Sequence, residues 1–244
     1  MDEVARLNWL VPLLAFLLAA VFGAVAQRYN FCTMGAVSDV VNFGDWRRMR
    51  MWLLAIAVAI VGTTLLAMSG LIDLSKTIYT TAKVPWLSHL VGGLLFGFGM
   101  TLGSGCGSKT LIRVGGGNLK SLVVMVFLGI AAYMTLRGAF APLRAFGLDP
   151  VLIDLGRTGA ATSDLGALVG SLGPGAAAKR WFPFLIALAI GIFVFANRDF
   201  RNAREMIFTG VVIGAVIVGG WYVSGHIGYL AEDLLARQPR ERGG

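Results

Sequence analysis

From Trp9 to Ala26, and again from Met51 to Gly70, the chain runs without a charged residue. Comparable apolar runs occupy Leu87 to Leu102, Leu119 to Leu136, Trp181 to Ala196 and Met206 to Val223. A surface helix of a soluble protein keeps a polar face toward water, so a helix apolar all round has protein or lipid for its solvent. With 14% charged residues against 57% hydrophobic ones, where soluble domains carry about 25% charge, the solvent is lipid. Helix satisfies every backbone polar group inside its own segment, which a bilayer demands. The sequence therefore predicts an all-α integral membrane protein of about six transmembrane helices. Several runs fall short of the ~20 residues of a clean span. Short, glycine-interrupted hydrophobic segments of that kind point to re-entrant or broken elements.

Charge excludes some functions and orients the chain. The balance of 21 Lys and Arg against 13 Asp and Glu gives a formal charge of +8. No aromatic-interleaved basic stripe accompanies it, so nucleic acid is not the expected partner. The basic residues cluster at Arg47, Arg48 and Arg50, at Arg198, Arg201 and Arg204, and at Arg237, Arg240 and Arg242. Those are the borders of the apolar runs, where cations anchor a helix against anionic lipid heads. Arg28, Arg47, Arg48 and Arg50, then Lys109, Arg113 and Lys120, then Arg198, Arg201 and Arg204 mark one side as cytoplasmic and put the amino terminus outside, in a multi-pass protein of the cell inner membrane. Ala24-Val25-Ala26 has the form of a signal-peptidase site, but Asp2, Glu3 and Arg6 do not make a positive leader, so the first run reads as a true helix. By organisation, residues 1–150 make a first membrane unit with both cysteine segments. Residues 151–179, with Gly156, Gly159, Gly166, Gly170, Gly173, Pro174 and Gly175, make a glycine-rich linker. Residues 180–244 begin a second, incomplete unit with a basic tail.

The chemistry is expected at the two cysteines, Cys32 and Cys106. They lie outside any Cys-x-x-Cys pattern, and with His89 and His226 as the two histidines neither a metal centre nor a cofactor is expected. The chain repeats itself around them: Phe22-Gly23 precedes Cys32 by the same interval as Phe96-Gly97 precedes Cys106. The second copy reads Gly103-Ser104-Gly105-Cys106-Gly107-Ser108-Lys109-Thr110, with Gly115 to Gly117 soon after. A phosphate-binding loop needs glycine directly before the lysine, and Ser108 stands there instead; a dinucleotide fingerprint needs a strand that is not present. Irregular backbone at membrane depth must be buried in protein or line a hydrated path. Its N–H groups, with Lys109 and Arg113 beside them, favour an anion. A thiol in such a place offers weak donation and soft contact, so the natural complement is a sulfur-bearing ligand.

Two stretches, Gln27-Arg28-Tyr29-Asn30-Phe31-Cys32-Thr33-Met34-Gly35-Ala36 with Asp39, and Gly97 through Gly117, resemble the YeeE/YedE sulfur transporters, whose members include bacterial thiosulfate uptake proteins. The resemblance implies a helical fold of pseudo-symmetric halves, with short helices and loops dipping toward mid-membrane. It implies transport without enzymatic change: cysteines pass thiosulfate along by weak S–H to sulfur hydrogen bonds. Carried over by position, Cys32 and Cys106 are the relay thiols, and Arg28, Gly105, Gly107 and Lys109 complete the expected substrate path. Family members commonly continue into a further glycine-rich segment with a third cysteine, whereas this sequence stops at Gly244 after Gly225-His226-Ile227. That departure makes it a short form, a fragment or one half of a split transporter. Besides thiosulfate and the bilayer, a cytoplasmic sulfur-carrier protein or a second transporter chain is therefore a candidate partner. Two alternatives stand beside transport: a membrane thiol-disulfide oxidoreductase using the same cysteines, and a subunit that docks a sulfur carrier.

Overall fold

The computed structural model describes residues 2–74, 77, 81–158 and 175–230. Helix α1 spans Asp2–Arg28, α2 Thr33–Phe43, α3 Arg47–Met68, α4 Trp86–Leu102, α5 Gly107–Gly115 and α6 Leu119–Leu136. After a π-helical turn at Leu143–Leu148 come α7, Gly175–Phe195, the short α8, Arg198–Asn202, and α9, Arg204–Tyr222, which runs on into a second π-helical turn, Val223–Gly228. Two short strands, β1 at Lys83–Val84 and β2 at Ile153–Asp154, pair antiparallel with Lys83 opposite Asp154. The protein is an all-α membrane protein.

Among the described residues five stretches are long and apolar enough to cross a membrane: Trp9–Phe43, Arg47–Met68, Trp86–Gly115, Leu119–Leu136 and Arg204–Gly228. The remaining expected span, Trp181 to Ala196, is the shorter apolar helix Arg180–Phe195. Outward-facing side chains such as Leu94, Phe98 and Phe127 are about two-thirds exposed, which in lipid carries none of the cost it would in water.

The helices pack as two compact units of discontinuous sequence. This grouping follows contacts, whereas the division into 1–150, 151–179 and 180–244 follows the chain. Residues 159–174 of the expected linker, and the basic tail from residue 231 on, lie outside the described residues.

One unit draws on residues 1–29, 53–76 and 183–244. Here α1 packs along α9, and Thr209, Gly210, Ile213 and Gly214 of α9 are buried, positions that share one helical face. Gly214 marks a close crossing: a Cβ there would sit 2.6 Å from Val58 Cβ and 2.8 Å from the Ala55 carbonyl on α3. Small residues of this kind let helix backbones approach where lipid supplies no hydrophobic drive. Thr209 is fully buried and donates its hydroxyl to the Glu205 carbonyl at 2.7 Å, so its polar atom is satisfied.

The other unit draws on residues 30–52 and 77–182, and contains both cysteines. Helix α2 ends where Gly44 turns left-handed at φ 65°, a conformation glycine takes without penalty. Asp45 then accepts from the Arg47 backbone N–H at 2.9 Å and pairs with its guanidinium at 2.7 Å. The hydrogen bond from Arg47 holds the Asp45 carboxyl below its ordinary range and fixes the entry to α3.

Candidate functional site

Both cysteines occupy the same place in the same local structure. Helix α1 ends at Arg28, and after Tyr29, Asn30 and Phe31 Cys32 is the N-cap of α2. Helix α4 ends at Leu102, and after Gly103, Ser104 and Gly105 Cys106 is the N-cap of α5. The two thiols are 74 residues apart, and at that interval the helix end, the break and the new helix coincide. Among the described residues, the non-glycine residues with positive φ are Asn30, at 53°, and Ser104, at 58°. Each stands two residues before a cysteine. The left-handed conformation costs an L-residue roughly 1–2 kcal/mol, least for those with short polar side chains. In the second copy it closes α4 with paired reverse hydrogen bonds, Ser104 N–H to Thr101 O at 3.3 Å and Gly105 N–H to Met100 O at 3.0 Å. That is the Schellman arrangement, with serine where glycine is usual.

The breaks bring the sulfurs together. Cys32 Sγ lies 4.0 Å from Cys106 Sγ, about twice the ~2.05 Å of a disulfide, and both cysteines are free. Cys32 is 4% exposed and Cys106 partly so. Their carbonyls accept the Ala36 and Thr110 N–H groups at 2.9 and 3.0 Å, as N-cap carbonyls do. Neither thiol caps its helix. The first-turn N–H groups, at Thr33 to Gly35 and at Gly107 to Lys109, therefore have no intrahelical partner, and the positive end of each helix begins at a sulfur.

The irregular stretch of the second copy is shorter than its glycine content suggests. The run from Gly103 to Thr110 reads in sequence as freed backbone, but Gly107, Ser108, Lys109 and Thr110 are the first turn of α5. A first turn keeps its N–H groups free without being irregular. Gly105 is buried, and a Cβ there would meet the aliphatic part of Lys109 at 3.5 Å. Gly107 is half-buried beside Leu128. Arg28 is exposed at the end of α1. A cavity of about 440 Å³ between α4, α5 and α6 is lined by Phe96, Met100, Gly105, Gly107, Val124 and Phe127 among others.

Charge also enters at a residue that sequence reading treats as a lipid anchor. Arg48, in the first turn of α3, is less than a quarter exposed. Its Nη1 donates to Asp39 at 2.9 Å and its Nη2 to the Asn30 carbonyl at 2.8 Å. A Cβ on Gly35 would run into that guanidinium. Gly35→Val is accordingly expected to expel Arg48 and destabilise the protein by about 1–3 kcal/mol, the usual cost of overpacking, with a lowered thermal transition in detergent as the readout. An unchanged transition would show that Arg48 has room to spare.

A family model described as sulphur transport matches residues 28–234. Over 133 residues, 54% of this chain, the sequence is 32% identical to the thiosulfate transporter TsuA of Escherichia coli and equally to that of Spirochaeta thermophila. The aligned part spans 35% and 38% of those relatives, little more than a third of their length. No solved structure matches the chain.

Proposed function

We infer that this chain, which belongs to the sulphur transport family, carries thiosulfate or a related small sulfur anion across the cell inner membrane, along a path that Cys32 and Cys106 share. The observation that supports this is the 4.0 Å approach of the two sulfurs at the starts of two short helices. Thiosulfate has a soft terminal sulfur and a hard, charged oxyanion end. A thiol is a weak donor whose polarizable sulfur suits the first. The free N–H groups at the starts of α2 and α5, with Lys109, suit the second. Gly105 and Gly107 let the backbone approach the anion, and Arg28 draws it toward the first break. Weakness is useful here, because a conducted ion must leave as readily as it arrives. Two thiols this close let the soft sulfur exchange one contact for the next by a short displacement. No bond to sulfur forms or breaks, so the step needs no electron donor.

The relatives extend well beyond the aligned segment, so a second chain, or a cytoplasmic sulfur-carrier protein receiving the anion, belongs to the same proposal. Uptake of labelled thiosulfate by proteoliposomes that contain this chain alone tests it. Saturable uptake, competed by unlabelled thiosulfate and not by sulfate, is the expected result. Uptake no greater than that of empty vesicles, or uptake competed by sulfate as well as by thiosulfate, would reject it.

A further inference from the structure

In each copy an arginine closes the cysteine break from the side. Arg113, in the last turn of α5, donates Nη1 to the Ser104 carbonyl at 3.0 Å. Arg48 donates Nη2 to the Asn30 carbonyl at 2.8 Å. Both acceptors belong to the left-handed residue two positions before the thiol. The two arginines come from different elements. At the interval of 74 residues that relates the cysteines, the residue matching Arg113 is Asp39, a carboxylate. Asp39 accepts from Arg48 Nη1 at 2.9 Å, so the first copy reaches the same end by another route. Helix α5 carries its own guanidinium, whereas α2 carries the acid that holds a guanidinium supplied by α3. Gly35 completes the arrangement by leaving the space that Arg48 fills.

We propose that Arg48 and Arg113 are matched positioning residues, each locking the left-handed peptide before its cysteine and thereby setting the separation of the two thiols. The peptide needs a lock because its conformation is disfavoured for asparagine and serine. A guanidinium serves where lysine would not. Its planar fork lets Arg48 hold the Asn30 carbonyl and the Asp39 carboxylate at once. The consequence for transport rests on the function proposed above; the positioning itself rests on geometry.

Two roles would make these arginines matter, positioning and plain attraction of an anion, and glycine separates them. Glycine takes the left-handed conformation at no steric cost. The assay is bridging of Cys32 to Cys106 by dibromobimane, a short bifunctional thiol reagent, in membranes that hold the full chain and no thiosulfate. Arg113→Ala is expected to slow bridging roughly tenfold, the population shift that goes with freeing a left-handed serine. Adding Ser104→Gly to Arg113→Ala restores most of the rate, and the pair Arg48→Ala and Asn30→Gly behaves alike. Bridging unchanged in the alanine variants overturns the proposal, and so does slowed bridging that glycine fails to restore. Because no substrate is present, the assay stands even if the chain proves not to carry thiosulfate. Loss of thiosulfate uptake with bridging intact would overturn positioning and leave transport standing.

Discussion

Cys106→Ser is expected to lower thiosulfate uptake by roughly tenfold to a hundredfold, the loss that follows when a confined ligand group is left without its partner, while the protein reaches the membrane in normal amount. Serine keeps the size of the side chain, so packing around α5 is preserved. What changes is softness: the hydroxyl is a hard, stronger donor that prefers an oxyanion or water to a sulfur. Cys32→Ser is expected to produce the same loss, with the double variant little worse than either single one, because on the proposed path two thiols 4.0 Å apart serve one ligand atom in turn and residues that act as a unit are non-additive. Cys32 is buried, so Cys32→Ala accompanies it as a variant that leaves no unsatisfied hydroxyl. Initial rates of labelled thiosulfate entry into vesicles, normalised to protein in the bilayer, read the effect. Full uptake in either serine variant would remove the thiols from the path.

The membrane helices were legible because they rest on runs of apolar residues, which composition alone exposes. Four of the expected runs lie within stretches able to span, and a fifth, Met51 to Gly70, overruns its stretch by two residues. The repeat was legible too, since the Phe-Gly pairs and cysteines recur at one interval. Ser104 shows where the signal failed. With Gly103 and Gly105 on either side, the natural expectation gives the left-handed turn to a glycine. Gly103 instead caps α4 at φ −77° and the serine between them takes φ 58°. Arg48 was hidden for a different reason. It stands among Arg47, Arg48 and Arg50 at the start of a span, where a basic cluster reads as a lipid anchor. Arg47 turns to Asp45 and Arg48 to Asp39 and Asn30. The clue was present in the repeat: an acid at position 39 where the second copy has Arg113 asks for a cation from elsewhere. Reading it required knowing that both breaks leave a carbonyl to be met.

Gly214→Leu is the change expected to damage the fold most. Leucine at this site has nowhere to go, since even a Cβ would lie 2.6 Å from Val58 Cβ and 2.8 Å from the Ala55 backbone oxygen. A flexible side chain could swing aside, but a carbonyl belonging to α3 moves only with its helix. Gly214→Ala is expected to cost about 1–3 kcal/mol as the helices part to admit one methyl group. Leucine exceeds what such a separation accommodates, so the variant fails to accumulate in the membrane. Gly220, on the same helix, supplies the comparison because nothing lies within 4 Å of its Cβ position. There alanine is expected to stabilise the helix by about 0.5–1 kcal/mol, through the lower backbone entropy that glycine otherwise brings. Thermal unfolding in detergent and abundance in membranes read both positions. Close backbone approach is the physical basis of the difference, because lipid surrounds these helices and rewards only contact between them. If Gly214→Leu proved as abundant and as stable as Gly220→Leu, the α3 and α9 backbones would have to be farther apart than these distances state.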